Sequence, residues 1–165
     1  MLLLKQLFLL IYNFMYRKGV AAIILNEKNE ILLVNLTSFE SHFFSIPGGG
    51  IDKDEKKVDT IKRELYEELG IKPGMINILK ESKIPIKFDF KINPLIRDNI
   101  EYIGQTKYYF LIKYTGKDSD IKIDKKEVRK YIWCNYENLD KYLLFDNQLA
   151  DTKRIILDLC PEIVK

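Results

Sequence analysis

The chain has 165 residues, a length that fits one domain of ordinary size with a sizeable core. It is 47% hydrophobic and 31% charged, the composition of a soluble globular protein rather than a disordered or fibrous one. With 27 basic and 24 acidic residues, a net charge of +3 is too balanced for general nucleic-acid binding. The single histidine, His42, argues against a histidine-based zinc site or catalytic triad, so acid–base chemistry must run on carboxylates, lysines or tyrosines. Cys134 and Cys160 form no metal-spaced motif and read as buried thiols of a cytoplasmic protein.

The first 16 residues are strongly apolar but contain Lys5, Gln6 and Asn13. They fall short of the roughly 20 residues that a membrane-spanning helix needs. They also lack the basic start and small-residue cleavage site of a signal peptide. The leading expectation is an apolar helix docked on the domain, which divides the chain into an extension over 1–15 and a domain over 16–165. Two other readings stay open: a membrane or export role, and a natural start at Met15.

From there the chain alternates. Gly19–Leu25 reads as a buried strand and Ile31–Leu36 as its hairpin partner across the polar turn Asn26–Glu30. A polar loop follows over 37–42, then a short strand over Phe43–Ile46 that runs into Pro47-Gly48-Gly49-Gly50. A helix is expected from about Lys56 to Leu69, closed by Gly70 and blocked beyond by Pro73 and Gly74. Met75–Lys80, Ile84–Phe90, Tyr102–Tyr114 and Val128–Cys134 read as strands, and Lys91–Ile100 as a loop. Tyr136–Tyr142 reads as a short helix and Asn147–Leu159 as a terminal one, with Leu149, Ile155, Ile156 and Leu159 on its apolar side. A mixed sheet with helices on both faces is the architecture implied.

Within the helix over 56–69, Val58, Ile61, Leu65 and Leu69 share one stripe, a core-facing pattern. Glu64, Glu67 and Glu68 fall on a neighbouring stripe at i, i+3 and i+4, where like charges repel. Hard divalent cations take oxygen ligands, and such a cluster is what a magnesium site needs. A solvated acidic surface is the bland alternative.

The spacing is specific. Five residues separate Gly49 from Glu55 and seven more precede Arg63; then come Glu64, Leu65, Tyr66, Glu67, Glu68, Leu69, Gly70 and Ile71. This stretch matches the signature box of the Nudix hydrolases at every specified position, and the surrounding order of elements resembles the Nudix α/β/α sandwich over roughly residues 16–160. The resemblance implies that Glu64, Glu67 and Glu68 bind magnesium, with manganese a substitute, and that Glu64 also orders or deprotonates a water. Arg63 and Glu55 would form a supporting ion pair. Gly49 would permit the turn, and Gly48 and Gly50 would let phosphate approach main-chain N–H groups.

Further residues resemble the RNA pyrophosphohydrolase and dinucleoside polyphosphate hydrolase branch: Tyr16-Arg17, the stretch around Tyr66, Gly104-Gln105, and Glu127-Val128 followed by Tyr131 and Trp133. There Glu127 would be a fourth carboxylate at the metal, and Arg17 would meet a terminal phosphate. The chain departs from that branch at Gly48, which stands for a glutamine, at Phe43 or Phe44, which stand for a tryptophan, and over Leu144–Asn147. The expected substrate is a nucleoside diphosphate linked to another group, either a dinucleoside polyphosphate or the 5′ end of a triphosphorylated RNA. ADP-ribose or nucleoside triphosphate hydrolysis is the alternative, and a non-catalytic nucleotide sensor or a membrane-tethered hydrolase stands behind it. A homodimer is left open.

The bland readings stand beside these. Glu127 sits in a charged run, Arg17-Lys18 is also a basic strand entry, and Lys122, Lys125 and Lys126 read as a solvated edge. Tyr102, Tyr108, Tyr109 and Phe110 suit base stacking but read mainly as core and rim, with one or two of them lining a pocket; Trp133 reads as core and His42 as an exposed loop residue.

Overall fold

The structure, a computed structural model, describes residues 2–7, 15–91 and 93–164. In chain order the elements are α1 (residues 2–7), β1 (Tyr16–Leu25), β2 (Ile31–Leu36), β3 (Gly48–Gly50), α2 (Lys57–Leu69), β4 (Ile76–Glu81), β5 (Ile86–Asp89), β6 (Leu95–Arg97), β7 (Ile100–Tyr102), β8 (Gly104–Tyr114), β9 (Val128–Cys134) and α3 (Gln148–Leu159).

β1 is the centre of the sheet. Val20 to Ile24 are fully buried, because this strand carries apolar residues on both faces and each face is covered by a helix. It pairs in parallel with β8 along its whole length, from Tyr16↔Gly104 to Leu25↔Lys113. The sheet runs β4-β8-β1-β2-β9, with β3 added against β1 and β5 against β8. One core cluster joins Val20, Ala22 and Ile24 to Ile61, Leu65 and Leu69 of α2. The other joins Ala21, Ile23, Leu25, Tyr109 and Leu111 to Ile155, Ile156 and Leu159 of α3. Alternate positions of β1 thus face opposite helices, which makes an α/β/α sandwich.

The hairpin expected between β1 and β2 forms, and several other expectations need correction. The hairpin between β1 and β2 closes at Leu25↔Ile31, held by Asn26, whose Oδ1 accepts from the backbone N–H groups of Lys28 and Glu30 at 2.9 Å each. Beyond that turn β2 pairs along its length with β9. The strand expected over Phe43–Ile46 is reduced to one bridge, Ser45 with Val34, and the strand falls instead on the three glycines of β3. Propensity disfavours glycine in a strand, but here side chains from α2 and β1 need the space that side chains on β3 would fill.

Part of the loop expected over Lys91–Ile100 belongs to a β6–β7 hairpin, with Asp98 and Asn99 both at positive φ, 53° and 61°, as a two-residue turn requires. Val58 is 39% exposed and does not join the core stripe of α2. Residues 2–7 are helical, but Leu2, Leu3, Leu4 and Leu7 are exposed, so no docking is found there; residues 8–14 lie outside the described residues. Among the described residues no helix is long and apolar enough to cross a membrane. Cys134 and Cys160 are buried free thiols, as expected.

Leu65 is fully buried where α2 meets β1. Leu65→Ala should cost about 2–5 kcal/mol through lost burial and the cavity left behind. Urea unfolding measures it; a loss below about 1 kcal/mol would show that α2 is not seated on the sheet as described.

Candidate active site at the glycine strand

α2 begins after an extended Lys56 and ends at Gly70, which takes the left-handed φ of 64°. Its acidic stripe spans solvent and interior. Glu67 has a side chain 51% exposed, Glu64 13%, and Glu68 as a residue is only 5% exposed.

Arg63 organises the group. Its Nε and Nη2 each donate to Glu55 at 2.9 Å, to Oε1 and Oε2 respectively, a bidentate pair. Nη1 donates to Glu64 Oε1 at 2.8 Å and Glu67 Oε2 at 3.1 Å, and Nη2 also reaches the Gly50 carbonyl at 3.0 Å. Thr60 Oγ1 donates to Glu55 Oε2 as well. The Arg63 hydrogen bond, reinforced by Thr60, outweighs desolvation and lowers the Glu55 carboxyl to about 2, while the same pair raises Arg63.

β3 lies beside this cluster and separates two sets of side chains. A Cβ on Gly49 would collide with the Glu64 carboxylate, and one on Gly50 with the Arg17 guanidinium. Successive strand residues point to opposite faces, so the carboxylate lies on one side of the strand and the guanidinium on the other. The Gly48 backbone N–H favours the charged form of Glu68.

Burial sets the charge state of the two inner carboxylates. Desolvation raises Glu64 against the pull of Arg63. Desolvation, then the Glu64 charge, raises Glu68 to about 8, with Glu127 adding to the effect and Lys107 opposing it. Arg17 is lowered, first by burial and then by Arg97, with Asp52, Glu64 and Tyr102 acting the other way.

Glu127 is exposed and hydrogen-bonds to neither Glu64 nor Glu68 through its side chain, but its charge acts on both. Tyr109 and Phe110 are core, Tyr102, Tyr108 and Trp133 are half-buried, and His42 and Lys122, Lys125 and Lys126 are exposed.

Three residues enter the site that the motif does not name. Asp52 sits 3.7 Å from Arg63 and accepts a hydrogen bond from Arg97 Nη2 at 2.9 Å, which brings the β6–β7 hairpin against the glycine strand. Lys107 on β8 is half-buried and interacts through space with Glu68 and Glu64. No local sequence signal marks Lys107; the parallel register of β8 with β1 sets it against Gly19.

These residues fit a hard divalent cation by their chemistry. Every candidate donor is a carboxylate oxygen, and Glu68 Oε2 is buried with no hydrogen-bond partner. Among the described residues no three acidic, histidine or cysteine side chains already stand as a coordination cage, because Arg63 holds Glu64 and Glu67.

Known proteins resemble this chain in sequence and fold. Residues 15–158 match the NUDIX domain, a match over most of the chain. The chain belongs to the Nudix family, and it is an enzyme, a pyrophosphohydrolase. It is 33% identical over 131 residues to an RNA pyrophosphohydrolase of Zymomonas mobilis, covering 77% of this chain and 84% of that one. It is 31% identical over 130 residues to an RNA pyrophosphohydrolase of Pelagibacter ubique, covering 77% and 81%. Its fold is similar to an Ap4A hydrolase of C. elegans, with a TM-score of 0.63 at 19% identity over 84% of this chain and 93% of that one. It is similar too to the dihydroneopterin triphosphate pyrophosphohydrolase of E. coli, with a TM-score of 0.65 at 15% identity over 86% and 97%.

The raised Glu68 carboxyl has a measurable consequence for stability. Its ordinary value is 4.5, so between about 4.5 and about 8 the folded protein keeps a proton that the unfolded chain releases. Stability must then fall as pH rises through that window. Thermal melts of chelator-treated protein should show the decline, and Glu68→Gln should flatten it. Equal slopes in both proteins would mean that Glu68 is not buried as described.

Proposed function

We propose that this chain is a magnesium-dependent hydrolase that cleaves within the 5′ polyphosphate of a nucleotide, with the triphosphorylated 5′ end of an RNA as its substrate. The observation that carries the reading is the juxtaposition of Arg17 and the Glu64–Glu68 cluster on the two sides of β3. Anion-binding and cation-binding groups there lie one strand apart. The names of the relatives at 33% and 31% identity support RNA over other nucleotides.

Glu64, Glu67, Glu68 and Glu127 would hold the metal. When bound, it would neutralise phosphoryl charge and make water a stronger nucleophile. Arg17 binds and orients the terminal phosphate, as a planar guanidinium suits phosphoryl oxygens. Glu64, whose basicity burial increases, takes the proton of the attacking water as the P–O–P linkage breaks. Arg63 and Glu55 keep α2 and the loop before it in register while Glu64 and Glu67 exchange the guanidinium for their ligands. The reaction belongs in the cytoplasm, where the two buried thiols stay reduced.

The test is a panel with magnesium: triphosphorylated RNA oligonucleotide, diadenosine tetraphosphate, ADP-ribose and deoxynucleoside triphosphates. RNA should give the highest kcat/KM. A preference of about tenfold or more for ADP-ribose or a deoxynucleoside triphosphate would overturn the RNA assignment. Nucleotide binding without turnover of any compound would make the chain a sensor. Glu64→Gln should keep the fold and lower kcat by roughly 100-fold or more; wild-type turnover in that variant would remove Glu64 from the mechanism.

A further inference from the structure

Lys107 is a charged residue beside the carboxylate cluster that the reaction scheme above leaves unused. The register of β1 and β8 sets Arg17 against Gln105 and Gly19 against Lys107, so these four positions share one face of the sheet. Farther along that face, Ala21, Tyr109 and Leu111 are buried with residues of α3, whereas Arg17, Gln105 and Lys107 remain half-buried. The floor between them has little side chain: the Gln105 amide covers Gly19, and the Arg17 guanidinium covers Gly50, which pairs with Gly19.

The Lys107 ammonium lies 5.7 Å from the Phe88 ring centroid, and among the described residues no group accepts a hydrogen bond from it. A half-buried ammonium without an acceptor is costly. Two charges bear on it favourably, Glu68 and Glu64, and burial still outweighs them. Its register position beside Gly19, on the face of the sheet that carries Arg17, holds the cation near the site with its donors unused. A polyphosphate arriving beside Arg17 would supply the acceptors that are missing.

We propose that Lys107 is a substrate-binding residue, an ammonium that bonds to phosphoryl oxygens on the Arg17 side of β3 and balances Glu64 and Glu68 until substrate arrives. This rests on the reading of the site as a polyphosphate hydrolase. It assigns Lys107 to the bridging or leaving phosphate rather than to the metal. Lysine serves here as a point charge, without the fixed fork of Arg17.

The test is titration of inorganic pyrophosphate into the protein with magnesium, followed by calorimetry, for wild type, Lys107→Gln and Lys107→Met. Methionine keeps most of the apolar stem beside Phe88 and removes only the charge, so it decides the matter should the glutamine variant fail to fold. Loss of a charged hydrogen bond predicts affinity weakened about 10- to 100-fold. The salt dependence of binding should also be shallower in the variants than in wild type. Steady-state KM should rise by a similar factor with kcat changed less.

Pyrophosphate affinity within twofold of wild type overturns the proposal. So does a variant that alters only the melting temperature, which is the signature of a countercharge and nothing more. Failure of the hydrolase reading looks different: wild type would turn over no compound of the panel, while the pyrophosphate titration would still decide the role of Lys107.

Discussion

Arg63 is the interaction on which the site depends. The segment between β3 and α2 has little regular structure to place it, with Ile51 N–H bonded to the Lys18 carbonyl and Glu55 N–H to that of Asp52. One guanidinium then bonds to Glu55 in that segment, to the Gly50 carbonyl in β3, and to Glu64 and Glu67 on α2. A lysine has a single charged centre without a planar fork and could not repeat this pattern. Because Arg63 is mostly buried and its partners are charged, the bonds are worth more than an exposed pair would be. Helix, loop and glycine strand therefore move as one piece.

That piece holds charge where the protein interior resists it. Glu68 lies under β3 with one oxygen unbonded, and Glu64 is close enough to raise it further. Left to itself, such a pair would favour rearrangement or protonation. The two core clusters on either side of β1 keep α2 seated in spite of this, since Ile61, Leu65 and Leu69 are all fully buried. Stability from the core thus maintains a site that would relax without it, a common division between scaffold and function.

Much of this was legible in the sequence, and what was not has physical reasons. The carboxylate stripe, its glycine stop and the Arg63–Glu55 spacing are local: helical period and chain order decide them. The apolar runs of β1 and of Tyr109–Ile112 in β8 were equally readable, because strands covered on both faces are continuously hydrophobic. β3 escaped because its sequence opposes strand formation; it pairs with β1 for lack of side chains, a benefit visible only once Glu64 and Arg17 occupy the space. The β6–β7 hairpin escaped because its exposed strands carry little alternation, and its signal was a turn of Asp98 and Asn99. Lys107 belongs to no local pattern. Only the parallel register of β8 with β1, residues distant in sequence, brings it beside Gly19 and toward Glu68.

The same register explains why so short an edge strand can couple opposite charges. In an ordinary strand the side chains at positions 49 and 50 would fill both faces and keep groups on either side well apart. Here both positions are glycine, and Glu64 and Arg17 press against the backbone itself from opposite faces. The Coulomb effect of Glu64 on Arg17 crosses a wall with no side chains. Separation that small makes each group's charge sensitive to the other's. β3 is therefore the floor of the site on both of its faces, and it can be so only because it carries no side chains.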